Sequence, residues 1–136
     1  MILCDTGPLV AVLNSDDADH KRCLEFLERC RGPLIVPAPV LTEVCWLLES
    51  RVGPAVEASF LRSVADEELR LEALTLQDLS RMAELVTSYA DFPLGTVDAS
   101  VIAVAERLGV RDVATLDYRH FRVVRPRHVN GLALHP

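Results

Sequence analysis

An apolar run that stops at a carboxylate opens this chain: Met1-Ile2-Leu3-Cys4-Asp5, followed by Thr6-Gly7-Pro8 and a helical pattern. A short apolar segment bounded by turn residues is what a strand buried on both faces looks like. Proline suits the first turn of the helix that follows. The reading is a buried strand that delivers Asp5 to the carboxyl edge of a parallel sheet, where open α/β sheets bind their ligands.

The same grammar recurs. Leu34-Ile35-Val36 is a second short buried strand, Leu69 to Leu74 alternates at period two as a third, and Val113-Ala114-Thr115-Leu116-Asp117 is a fourth that again ends in an acid. Phe121-Arg122-Val123-Val124 is expected to form a last, edge strand, and the tail from Pro126 a loop. Helical patterns lie between: Pro8 to about Asn14, a stripe of Cys23, Phe26, Leu27 and Cys30, Pro39 through Leu48, Ala55 to Ala65, Thr75 or Gln77 to Tyr89, and Thr96 to Leu108 closed by Gly109. In the helix ending at Tyr89, Leu79, Met82, Leu85 and Val86 are expected on one side. Strands alternating with helices imply an α/β fold with a parallel sheet covered on both faces. At 136 residues, residues 1–136 form one domain.

Half of the residues are hydrophobic, enough for a core, and the net charge of −6 argues against a surface that grips nucleic acid by overall charge. A local patch is a separate matter: Arg107, Arg111, Arg119, Arg122, Arg125 and Arg127 crowd the last third, and arginine forks suit phosphate oxygens. Cys4, Cys23, Cys30 and Cys45 form no Cys-x-x-Cys pair, so they read as free thiols of a reducing compartment. No basic residue precedes the apolar N-terminus, Asp5 interrupts it, and no stretch approaches the ~20 apolar residues of a membrane helix. A cytoplasmic protein without a membrane partner is expected.

Two acids fall where acids are rare. Val40, Val44 and Leu47 share one helical face with Glu43, and Asp98 heads the stripe Val101, Ile102 and Ala105. An inward carboxylate is costly unless it is paired or bound to a cation. Both lie in the first turns of helices that start near the carboxyl edge of the sheet, where Asp5 and Asp117 end. Asp5, Glu43, Asp98 and Asp117 are therefore expected to converge, with Asp91 in the loop before Asp98. Taken singly, each has a structural explanation at a helix N-terminus or a turn. Together they repel, by ~4 kcal/mol for two charges ~4 Å apart at an effective dielectric of ~20. With no inward lysine in the pattern, a hard divalent cation with oxygen ligands, Mg²⁺ or Mn²⁺, is the expected remedy.

Asp5-Thr6-Gly7-Pro8-Leu9, Leu41-Thr42-Glu43-Val44, Val97-Asp98-Ala99 and Thr115-Leu116-Asp117-Tyr118-Arg119-His120-Phe121 resemble the acidic motifs of PIN-domain ribonucleases, and their order and compact length are similar to the VapC-like toxins of toxin–antitoxin pairs. The resemblance implies a three-layer α/β/α sandwich with a mostly parallel central sheet. It also implies a Mg²⁺- or Mn²⁺-dependent endoribonuclease, a homodimer, and a cognate VapB-like antitoxin. By motif, Asp5, Glu43, Asp98 and Asp117 take the catalytic and metal-holding places, Asp91 a less constant acidic one, and Thr6 and Thr115 those of supporting hydroxyls.

The expected chemistry is hydrolysis of an RNA phosphodiester, with Asp5 and Asp98 as direct ligands and Glu43 and Asp117 acting through water or on a second ion. Arg119 is a candidate for the RNA phosphates. His120 is a second, though it reads more simply as a capping or solvent-facing residue. Trp46 reads as core or dimer interface, with base stacking as its other use. Competing functions are a non-catalytic RNA- or protein-binding module with a structural cation, a phospho-acceptor domain, which needs a lysine near the acids, and a metal-dependent DNA nuclease.

Overall fold

Leu3, Cys4, Ile35, Val36, Val113 and Ala114 are completely buried, which puts three strands at the centre of the molecule with both faces covered. The computed structural model describes residues 1–136. Five strands, β1 (Ile2–Cys4), β2 (Leu34–Pro37), β3 (Arg70–Glu72), β4 (Asp112–Ala114) and β5 (Ala133–His135), make one sheet in the order β3-β2-β1-β4-β5. Every neighbouring pair is parallel. The helices are α1 (Thr6–Leu13), α2 (His20–Arg29), α3 (Ala38–Arg51), α4 (Pro54–Ala65), α5 (Leu76–Ser88), α6 (Thr96–Leu108) and α7 (Tyr118–Val123).

The order of the strands decides where a site can form. The chain steps from β1 outward to β2 and β3, then returns across the sheet to β4 on the other side of β1. The connections after β1 and β4 therefore leave in opposite directions and open a crevice at the carboxyl edge between them. Asp5 follows β1 and Thr115 to Asp117 follow β4, so both segments border that crevice.

Helix α6 is the most deeply set: Ala99 to Ala105 are all buried, and its small side chains suit close approach to its neighbours. Helix α5 is locked onto it by charge. Thr75 and Asp78 form a reciprocal capping box at the start of α5. Asp78 is only 3% exposed and receives the Arg107 Nε at 3.0 Å, while Arg81 forks onto Glu106 at 2.7 and 3.0 Å. Those contacts turn the Asp78–Met82–Leu85 face inward. Leu79 and Val86, expected on the inner side with Met82 and Leu85, point outward instead, because Asp78 and its arginine occupy that inner face.

A second expectation fails at the C-terminal end. Residues 121–124 are not an edge strand: α7 covers Tyr118–Val123, and the edge strand is β5, inside the tail expected to be a loop. Asp117 caps α7 by accepting the His120 N–H at 3.2 Å, and Phe121 and Val124, three apart, are the buried anchors. Local β-propensity in Phe-Arg-Val-Val loses to this helical burial.

Candidate active site

Sheet pairing itself positions the first acid. The Asp5 backbone N–H donates to the Ala114 carbonyl at 2.8 Å, just past the end of β1. Asp5 is 6% exposed. The Thr115 hydroxyl donates to Asp5 Oδ2 at 2.8 Å and accepts the Asp117 N–H at 3.0 Å. One buried hydroxyl thus links the acids that follow β1 and β4. Burial pushes the Asp5 carboxyl up to about 6, against the pull of its bonds from Thr115 and the Thr6 backbone, and the charges of Asp98 and Glu43 add to the rise.

Asp98, in the first turn of α6, is half-buried. Burial raises its carboxyl, as do the charges of Asp117 and Glu43, while His120 and a backbone bond at Gly95 act the other way. Glu43, in α3 and half-buried, thus acts on both Asp5 and Asp98. Asp5, Glu43, Asp98 and Asp117, from four separate segments, therefore lie near enough at one edge for their charges to act on one another, although Asp5 and Glu43 are not in the tightest group of ligand atoms.

His120 joins them more closely than its sequence position suggested. Its Nδ1 lies 2.7 Å from Asp117 Oδ2 and 2.9 Å from Oδ1. That bond raises the His120 pKa, burial opposes it, and the charges of Asp117 and Asp98 reinforce it. Ligand atoms of Asp98, Asp117 and His120 all lie within 4.8 Å of one another. The relation depends on α7 being helical, since i and i+3 share a face only there, and a strand reading of the neighbouring residues hides it.

Asp91 is different. It is exposed in the turn between α5 and α6. Thr6 is 5% exposed, and its hydroxyl oxygen has no hydrogen-bond partner.

The arginine-rich stretch divides. Arg107 pairs with Asp78 and Glu72, and Arg127 with Glu84, so these two serve the α5–α6 face. Arg119 is exposed beside the acids, its guanidinium 5.3 Å from the centre of the Phe92 ring, and Arg122 lies 5.4 Å over Tyr118. Phe92 also meets His120 edge-on, ring centres 5.0 Å apart. Phe92 was not singled out in the sequence; its one signal is an aromatic side chain in a Pro-Gly loop just before the Asp98 helix. Trp46 is 68% exposed, which removes the core reading for it.

A hard divalent cation fits what is here. Apart from the His120 ring nitrogen, the converging donors are carboxylate oxygens, and no ion pair in the protein joins an arginine or lysine to any of the four acids. The orphaned Thr6 hydroxyl, next in sequence to Asp5, is a further oxygen without a protein partner.

Comparison with known proteins gives one consistent answer. The PIN domain family matches residues 2–126. A ribonuclease of Mycobacterium tuberculosis, VapC26, is 31% identical over 125 residues, covering 92% of this chain and 93% of the relative. Among solved structures, the fold is similar to that of M. tuberculosis VapC20, described as a Sarcin-Ricin loop cleaving toxin, with a TM-score of 0.79 at 22% identity over 83% of this chain and 87% of that one. It is also similar to VapBC2 of Rickettsia felis, bound to a promoter DNA fragment, with a TM-score of 0.69 at 18% identity over 99% and 98% of the two chains.

Proposed function

This chain belongs to the PIN-domain family, and we propose on that footing that it is the endoribonuclease toxin of a toxin–antitoxin pair, hydrolysing RNA with Mg²⁺ or Mn²⁺ held by its acidic cluster. The observation that carries the reading is the meeting of four acids at the strand-order switch with no arginine or lysine paired to them, and with Asp5 pushed up to about 6. A site built for folding alone has no use for an acid buried at that cost.

Asp5, the most enclosed of the four, and Asp98 would hold the cation directly, and Glu43 and Asp117 through water or on a second ion. When bound, the cation supplies Lewis acidity that polarises a phosphoryl oxygen and makes water acidic near neutral pH. The chain's own part is orientation and proton handling. Thr115 fixes Oδ2 of Asp5, and the Thr6 backbone also bonds the carboxylate, so its orientation is set before any cation arrives. Asp117, steadied by His120, and Glu43 are open enough to take the proton of an attacking water. Arg119, propped on Phe92, would meet an RNA phosphate. Hydrolysis by water leaves 5′-phosphate and 3′-hydroxyl ends.

Two surfaces support the partner side of the reading. Leu9, Val12 and Leu13 of α1, Leu27 of α2 and Phe60 of α4 line an apolar groove of about 350 Å³ that suits an amphipathic antitoxin helix. On α5, Leu76, Leu79, Ala83 and Val86 form an exposed outward stripe at spacings of three and four, the pattern of a helix that packs against another helix and here supports a homodimer.

The test is incubation of the purified protein with total RNA, with Mg²⁺, with Mn²⁺ and with chelator, followed by mapping of the new ends. Cleavage that needs the cation and leaves 5′-phosphates is expected, and Asp5→Asn should abolish it while remaining folded. Cyclic phosphate ends would reject the scheme, since they report attack by the RNA's own 2′-hydroxyl.

A further inference from the structure

Trp46 is the one tryptophan of the chain, and the structure exposes 68% of it on α3, one helical turn beyond Glu43. It forms a wall of an open hollow of about 490 Å³ whose other walls are Pro39, Thr42, Glu43 and Val97. The hollow and the acidic cluster therefore share the side chain of Glu43. Val97 brings in the start of α6, the helix that carries Asp98. Whatever lies against the indole lies next to the bond that the cluster would cut.

We propose that Trp46 is a stacking platform for one unpaired RNA base adjoining the scissile phosphate; this rests on the nuclease reading above. Two observations choose a base over a protein surface. Along α3 the exposed neighbours of Trp46 are Thr42, Glu49 and Ser50, so no exposed apolar side chain of that helix extends the indole into a seam. The helix-packing stripe of this protein lies elsewhere, on α5. The hollow also has no basic residue, and its one charge is the Glu43 carboxylate. It repels a phosphate and receives a flat, uncharged ring, while the phosphate stays with the cluster and Arg119. A base paired in a duplex cannot present its face to the indole, so the hollow selects single-stranded or loop RNA at that nucleotide.

Because Trp46 is the sole tryptophan, its fluorescence reports on this place alone. With chelator present, wild-type protein is titrated with single-stranded oligo(A), oligo(U) and oligo(C), an abasic ribose-phosphate oligomer, and a fully paired RNA hairpin stem. The single strands should quench or shift the emission, and the abasic oligomer and the stem should not. With the cation present, Trp46→Ala should lose roughly 5- to 150-fold in kcat/KM at the wild-type cleavage sites, the size of one base–aromatic stack, carried mainly by KM. Trp46→Phe should keep most of the activity. Exposure of the indole means that the fold is not at stake, and a melting curve of each variant checks this.

Unchanged emission at saturating single strand, or Trp46→Ala cutting as fast as wild type, overturns the proposal. So does a Trp46→Ala loss that tracks dissociation to monomer in sedimentation, which would assign the indole to a second copy. Wild-type protein that cuts no RNA overturns the nuclease reading and this one with it, whereas cleavage that ignores Trp46 overturns this one alone.

Discussion

Asp5 makes the cost of the site measurable. Its carboxyl sits at about 6 in the folded chain against an ordinary 3.8. A raised folded pKa favours the protonated form, so the stability it contributes is complete below the ordinary value and is lost as pH climbs through about 6. The difference corresponds to roughly 3 kcal/mol at ~1.4 kcal/mol per pH unit. Asp98 is raised in the same sense. Asp78 and Glu106, held low by Arg107 and Arg81, act oppositely and weaken the fold as pH falls, so the wild-type curve mixes both signs. The difference between wild type and Asp5→Asn isolates the site. In chelator the variant should be the more stable protein at pH 8, by up to ~3 kcal/mol, and the advantage should fade towards pH 4. Denaturant melts across that range measure it. Thr115→Val tests the neighbouring link. It strips Asp5 Oδ2 of its donor and the Asp117 N–H of its acceptor in a fully buried place. A loss of ~1.5–3 kcal/mol in stability is expected, with a fall in kcat from the misplaced Asp5.

At the scale of elements, α5 carries the plainest prediction, because it has two apolar faces and packs only one of them against another helix. Its inner face meets α6 through Met82 and Leu85, and its outer face shows Leu76, Leu79 and Val86 to solvent. The double variant Leu79→Glu, Val86→Glu leaves the inner face untouched. On the homodimer proposal the wild type should sediment as a dimer and this variant as a monomer, with an unchanged melting profile at low protein concentration. Whether an element was legible in the sequence followed from how its apolar residues are spaced. The strands β1, β2 and β4 are short apolar runs and α6 a sustained helical stripe, so each was readable without its neighbours. Strand β5 was not, because Ala133, Leu134 and His135 are half-buried residues in a tail of loop-forming composition whose pairing is supplied by β4. Helix α7 was hidden by valines, and its cap and its two buried anchors are visible only when Asp117, Phe121 and Val124 are seen in place. The acids stood out because each breaks an apolar pattern. The His120–Asp117 bond, the Phe92 support and the assignment of Arg107 and Arg127 to α5 depend on contacts between segments, which no local pattern carries.

Over the whole molecule the charges are sorted by face, and this sorting gives the last prediction. On the α5–α6 side, Glu72, Asp78, Glu84 and Glu106 are each matched to Arg81, Arg107 or Arg127. At the switch-point edge, Asp5, Glu43, Asp98 and Asp117 meet no arginine or lysine, and the net charge of the chain is −6. A general appetite of an acidic protein for divalent ions would not distinguish the two groups of acids; a built site would. Mg²⁺ or Mn²⁺ that binds only the folded chain stabilises it by about 1.4 kcal/mol at ten times its Kd, which for a domain of this size raises Tm by about 5 °C. At pH 8, where the Asp5 carboxyl is ionised, that rise should appear in the wild type and shrink sharply in Asp98→Asn. It should persist in Glu84→Gln, which removes one carboxylate of the same sign from the arginine-matched face. Differential scanning of the three proteins with and without the cation separates the cases: equal shifts in all three would mean that the ion is held by surface charge and that the meeting of the four acids does not define its site.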